Sequence, residues 1–238
     1  MKLDILAFAA HPDDVELACS GTLIHHIKKG YKAGVVDLTR GELGTRGTPE
    51  IRAEESKVAS AILGISVREN LNMKDGFFVQ DEEHLMKLIQ VIRKYRPHIV
   101  FANAISDRHI DHGRAAKLEA DACFLSGLRK IETFDADGKP QEAWRPKNVY
   151  HYIQDNFIKP DLVVDITNEW EQKMECIRAF KSQFYDPASG EPETPISSRD
   201  FMDFLPARSL DFGRIIGARY GEGFTTRTPG VDDLMLLK

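Results

Sequence analysis

The chain has 238 residues, 42% of them hydrophobic, which fits one large domain with a substantial core. Its formal net charge of −5 and isoelectric point of about 5.9 exclude a general nucleic-acid binder, because phosphate neutralisation needs a basic face. No apolar run approaches the roughly 20 residues that span a bilayer, and Cys19, Cys123 and Cys176 are too few and too scattered for a disulfide framework or a cysteine-rich finger.

Buried thiols in a reducing compartment are therefore expected, and with them a cytoplasmic location. Met1-Lys2-Leu3-Asp4 leads at once into an apolar run, so no secretory leader is expected. Residues 3–9 read as a buried strand, 17–29 as a helix closed by Gly30, and 33–38 as a second strand. Thr48 is a natural N-cap with Pro49 at the first helical position, and Gly64 closes the helix that follows. Residues 84–95 place Leu85, Leu88, Ile89 and Ile92 on one helical face, which Arg96-Pro97 ends. Ile99–Ala102 is a third strand.

Residues 135–147 are polar and turn-rich, and 149–153 and 162–166 read as further strands. Asn168 with Glu171 has the spacing of a capping box for a helix through Phe180. Residues 182–198 hold three prolines and read as a long surface loop. This alternation predicts an α/β fold: a Rossmann-like, mostly parallel sheet flanked by helices. One domain over 1–238 is expected, its core in about residues 1–130 and its remainder in the strands and helices of 148–238.

Two segments concentrate imidazoles and carboxylates just after strands: Ala10-His11-Pro12-Asp13-Asp14-Val15-Glu16 and Asp107-Arg108-His109-Ile110-Asp111-His112. Both should emerge at the carboxyl edge of the sheet, where open α/β folds place ligands. His11, Asp14 and His112 would give a divalent ion three N/O ligands and leave a position for water, the pattern of a catalytic site. Asp13, between two ligands, suits a general base. His109 precedes His112 by three residues and can share its cavity. Asp111 would hold the His109 ring and favour its protonated form, making His109 an electrostatic stabiliser or acid.

The competing explanation for these carboxylates is helix capping. His25, His26, His84, His98 and His151 stand outside the clusters and read as structural. The joint recurrence of ligand types in both segments favours the metal.

These motifs resemble the LmbE/PIG-L-type zinc-dependent N-acetylglucosaminide deacetylases, whose hallmarks are His-Pro-Asp-Asp-x-Glu and a later His-x-Asp-His. Asp37-Leu38-Thr39-Arg40-Gly41-Glu42, Arg52-Ala53-Glu54-Glu55, Ser182-Gln183-Phe184 and Tyr220-Gly221-Glu222-Gly223-Phe224 look like the bacillithiol-biosynthesis branch. The resemblance implies a Rossmann-like fold without a dinucleotide and one zinc per subunit on His11, Asp14 and His112. It also implies Asp13 as base, His109 as charge stabiliser and N-acetylglucosaminyl-malate as substrate. A homo-oligomer, commonly a hexamer in that branch, is implied too, with a small sugar conjugate as the partner and neither nucleic acid nor membrane. For the malate carboxylates the candidates are Arg52 and Arg108, with Arg46 third, because guanidinium binds carboxylate in bidentate fashion.

Ile110 stands where the family pattern commonly has proline, and Asp107-Arg108 stands where the mycothiol branch carries an aromatic residue. A nucleotide-binding dehydrogenase is disfavoured because no glycine-rich turn follows the first strand. Another N-acetylglucosamine conjugate, such as a mycothiol precursor or chitin oligomer, and a non-catalytic sugar-binding protein remain as alternatives.

Overall fold

Strand β1 (Ile5–Ala9) is buried at every residue, as a strand covered on both faces must be. In the computed structural model, which describes residues 1–228 and 230, it is the middle of a parallel array. Strand β2 (Ala33–Thr39) pairs with it on one side, and β4 (Ile99–Ala102) on the other. With β3 (Val67–Met73), β5 (Asn148–Tyr152), β6 (Leu162–Asp165) and β7 (Gly221–Thr225) they form one seven-stranded sheet of order β3-β2-β1-β4-β5-β7-β6. The first five strands run parallel, while β7 is antiparallel to both β5 and β6. The fold is thus the α/β class expected, with a mixed far edge.

Alternation along β1 distributes its side chains to two layers. Leu6 and Phe8 pack with Val36, Val100 and the helices α4 (Glu82–Tyr95) and α5 (Ile110–Leu125) through Leu88, Ile92 and Leu118. Ile5, Ala7 and Ala9 pack on the other face with Val15 and Leu23 of α1 (Asp14–Ala18) and α2 (Ser20–Lys28). A third cluster joins α3 (Pro49–Leu63), α6 (Trp170–Arg178) and α7 (Arg199–Ile215) through Ala59, Met174, Ile177 and Leu205.

Several elements depart from the sequence reading. The helix expected from residue 17 to 29 is two helices, broken at Cys19, whose φ of −140° leaves the helical range. Strand β3 carries Arg68, Glu69, Asn70 and Asn72 and sits at the sheet edge, so it lacks the apolar run that marks a central strand. Strand β7 is hidden by Gly221 and Gly223, and α7 by the internal Pro206. The capping box does not form: Glu169, not Asn168, precedes α6, with no side-chain cap. The Thr48 cap, which accepts from the Ile51 N–H at 3.2 Å, and the Gly64 stop at φ 76° are where the sequence puts them.

Glu222 on β7 shows why a charged residue occupies a buried strand. Its carboxylate accepts from the Gly21 and Thr22 N–H groups at 2.9 and 2.7 Å, capping the start of α2, and from Lys173 Nζ at 2.6 Å. Helix N-termini favour negative charge and leave N–H groups to satisfy. Lys173 is 2% exposed, so Glu222→Ala strands a buried ammonium. Urea melts should show a loss of about 3–5 kcal/mol.

Candidate active site

Strands β1 and β4 are neighbours, in register from Ile5 opposite Ile99 to Ala7 opposite Phe101. They flank the point where strand order reverses, so the loops leaving their carboxyl ends open a crevice. His11 to Asp14 leave β1, and Asp107 to His112 precede and open α5 after β4. The topology therefore brings together segments about a hundred residues apart.

The first segment folds on itself. The His11 N–H donates to Asp14 Oδ2 at 2.9 Å, and the Asp14 N–H returns a bond to the His11 carbonyl at 3.2 Å. His11 Nδ1 lies 3.7 Å from Asp14 Oδ2, and His112 Nε2 lies 3.2 Å from Asp14 Oδ1. Asn103 Nδ2 and Gln154 Nε2 also donate to Asp14, at 3.2 and 2.8 Å. Asp13 sits between, at φ 129°, a conformation strained for any residue with a Cβ. Its side chain caps nothing. Instead Asp13 Oδ2 accepts from Arg52 Nη2 at 2.8 Å, and the same nitrogen donates to the Pro12 carbonyl at 2.7 Å.

The rings of His11, His109 and His112 each offer a nitrogen within 4.8 Å of the others. With Asp14 beside two of them, the donor set of imidazoles and carboxylate fits a divalent ion such as zinc. Each of the two flanking imidazoles also has its other nitrogen fixed by an aspartate. His11 Nε2 bonds Asp75 Oδ1 at 3.0 Å, and His112 Nδ1 bonds Asp107 Oδ2. That arrangement orients each ring with its remaining nitrogen toward Asp14, as carboxylate–histidine–metal triads do.

Asp75 lies in the loop after β3 and was not singled out by the sequence. It is held there by Glu42 Oε1, which accepts from the Asp75 N–H at 2.8 Å, while Asp75 Oδ2 accepts from the Leu43 N–H at 3.0 Å. Asn103 and Gln154 were likewise missed; no local spacing relates them to His11 or His112.

Three expected roles, those of Asp111, the protonated His109 and Arg52, are corrected. The Asp111 carboxylate does not hold His109: it accepts from the Gly76 N–H at 2.8 Å and Arg114 Nη1 at 2.7 Å, and lies 3.5 Å from His11 Nε2. Its backbone N–H donates to His109 Nδ1 at 3.2 Å, so His109 caps α5. With Nδ1 accepting, the ring proton falls on Nε2 and the ring is neutral. Arg52, expected at a substrate carboxylate, is committed to Asp13 and Pro12. Arg108 bonds Asp155, and Arg46 bonds Ser189 at 2.7 Å.

Burial pushes the Asp13 carboxyl up to about 7, against the pull of Arg52. Burial also disfavours the charged form of His11, but Asp111, Asp75 and Asp14 outweigh it and raise the ring to about 9. For His112 the same burial is overcome by Asp14 and Asp107, which lift it to about 10. His109 moves the other way, lowered by burial and then by its two imidazole neighbours. The raised proton affinities of His11 and His112 offset the buried carboxylates around them.

These groups line a cavity of about 360 Å³ that also reaches Leu43, Arg46, Ile196, Phe201 and Arg208. Residues 6–124 match the family model described as PIG-L, GlcNAc-PI de-N-acetylase. The chain belongs to the PIG-L family.

Among family relatives, the diacetylchitobiose deacetylase of Thermococcus kodakarensis is 27% identical over 237 residues, 95% of this chain and 84% of its own length. The 4-oxalmesaconate hydratase of Pseudomonas putida is 27% identical over 194 residues, covering 75% of this chain and 73% of its own. The crystal structure of a conserved protein from Thermus thermophilus superposes with a TM-score of 0.85 at 34% identity, covering 98% of both chains. Among the described residues no helix is long and apolar enough to cross a membrane.

Divalent metal must displace one proton from each of His11 and His112, whose values of about 9 and about 10 leave both protonated at neutrality. Affinity should rise about 100-fold per pH unit below 9, with about two protons released. Calorimetry in buffers of different ionisation enthalpy counts them. Asp75→Asn and Asp107→Asn each remove the charge behind a ring, and should weaken metal affinity by about 10–100-fold in chelator competition.

Proposed function

We propose that this protein is a zinc-dependent N-deacetylase that hydrolyses the acetamide of an N-acetylglucosamine conjugate, with N-acetylglucosaminyl-malate as substrate and glucosaminyl-malate and acetate as products. This is the bacillithiol-biosynthesis reading, carried out by a homo-oligomer in the cytoplasm. The observation that carries the hydrolytic reading is the pairing of the His11, Asp14 and His112 donor set with the buried Asp13 carboxylate in one cavity. Membership of the PIG-L family and the deacetylase relatives support it.

An amide resists water because its carbonyl is weakly electrophilic and its nitrogen leaves poorly. His11, Asp14 and His112 would hold a divalent ion, which would supply Lewis acidity to the carbonyl and to the attacking water. Asp13 takes the proton of that water, and its elevated proton affinity suits it to hand the proton on to the leaving nitrogen. Arg52 holds the Asp13 carboxylate in place through Oδ2 and leaves Oδ1 for this transfer. His109, with its proton on Nε2, donates a hydrogen bond to the developing oxyanion as a neutral group. Such donors contribute about 10²–10³ in rate.

Acetate release from N-acetylglucosaminyl-malate by the zinc-loaded protein, beside diacetylchitobiose as comparison, tests the assignment. Higher kcat/KM on the malate conjugate is expected. Release from diacetylchitobiose alone would move the substrate to the chitin class, and no acetate from either would remove the deacetylase reading in favour of water addition or simple binding. Asp13→Asn should keep its metal yet lose about 10²–10⁴ in kcat; full turnover in that variant rejects Asp13 as base.

A further inference from the structure

The wall of the cavity formed by α7 and the residues after β5 carries more positive charge than its hydrogen bonding consumes. Asp155 follows β5 and receives two guanidinium groups: Arg108 Nε on Oδ2, and Arg208 Nη2 on its carbonyl and, at 3.5 Å, on Oδ1. The nearby Asp107 is already committed, through Oδ2 to His112 and through Oδ1 to the N–H groups of Asp155 and Asn156. One carboxylate therefore faces two cations.

Arg208 is the more deeply placed of the two, with its side chain 16% exposed against 45% for Arg108. It lies over the Phe204 ring at 4.9 Å. Only its Nη2 is bonded; among the described residues Nε and Nη1 have no hydrogen-bond partner. Asp155 offsets only part of the burial penalty, and the guanidinium's proton affinity is lowered. A planar, five-donor cation with most donors open, lining the same cavity as His11, Asp13 and His109, is suited to an anion. The acetamide is neutral and needs none.

We propose that Arg208 of α7, together with Arg108 across Asp155, recognises a carboxylate on the aglycone of the substrate. This rests on the reading that the sugar N-acetyl group lies at the imidazoles, and it replaces Arg52, which serves Asp13, with a residue from the other end of the chain. The two guanidiniums share Asp155 when the cavity is empty and exchange that partner for the substrate carboxylate when it is filled. Arg208 is therefore a specificity residue, not a catalytic one.

The test uses zinc-loaded wild type, Arg208→Gln and Arg208→Lys, each first matched by thermal melt. Steady-state kinetics compare N-acetylglucosaminyl-malate, N-acetylglucosamine 1-phosphate and diacetylchitobiose, and calorimetry measures binding of the product glucosaminyl-malate, which needs no turnover. We expect KM for the malate conjugate to rise about ten-fold or more in Arg208→Gln with a smaller change in kcat, and selectivity over diacetylchitobiose to fall by the same factor. Arg208→Lys should recover part of the loss. Equal losses on malate conjugate and chitobiose, or unaltered glucosaminyl-malate binding in Arg208→Gln, overturn the proposal. A wild-type preference for the phosphate overturns the carboxylate assignment. Arg208-dependent binding of glucosaminyl-malate without acetate release from any substrate would uphold this subsite while removing the deacetylase function.

Discussion

One buried carboxylate, Asp14, holds the site together. It is 2% exposed, and an ion so placed is tolerated only when its oxygens are fully engaged. Its donors come from the His11 N–H after β1, from Asn103 after β4 and from Gln154 after β5, with His112 of α5 alongside. Three adjacent strand ends thus converge on one charge, whose carboxyl is held well below the usual carboxylate range, burial opposing and the His112 charge prevailing. The ring positions, the cavity and the access to Asp13 follow from that convergence.

Around this centre, charged residues in the motif segments mostly build the frame. Arg68 of β3 bridges Glu16 at 2.6 Å and Asp37 at 2.8 Å, joining the first motif to β2. Glu55 on α3 accepts from both the N–H and the hydroxyl of Ser182 at 2.7 Å, fastening the long proline-bearing loop to the helix that carries Arg52. Gln183 continues the link through a 2.9 Å bond to the Arg46 carbonyl. Glu42 and Glu222 play the same part for the Asp75 loop and the start of α2. Leaving one partner of the Arg68 or Glu222 ion pairs buried without the other would be costly.

The base is shaped by a similar close fit. Arg52 reaches Asp13 by passing Gly41, where an added Cβ would lie 2.0 Å from Arg52 Nη1 and the backbone adopts φ 65°. Only glycine satisfies both demands. The guanidinium then restrains a carboxylate whose burial would otherwise drive it further toward the neutral acid. Asp13 keeps a strained backbone at φ 129°, and its neighbours Pro12 and Asp14 are both tied down, which is how such a conformation persists.

Sequence alone determined the parts governed by local rules: the β1, β2 and β4 strands, the Thr48 and Gly64 helix limits, and the gathering of His11, Asp13, Asp14, His109 and His112 after strands. Apolar runs, capping chemistry and strand-end placement are all written within a few neighbouring residues. The polar edge strand β3, the glycine-bearing β7 and the proline-interrupted α7 gave no such signal, because pairing and packing with distant segments overrode their local composition. Which side chain serves which was likewise a matter of the assembled fold. Asp111 and Arg52 lie at the expected place but turn to His11 and Asp13, and Asp75, Asn103, Gln154 and Arg208 enter from separate loops and a late helix. Such partnerships depend on distances across the sheet edge, and a linear order of residues does not contain them.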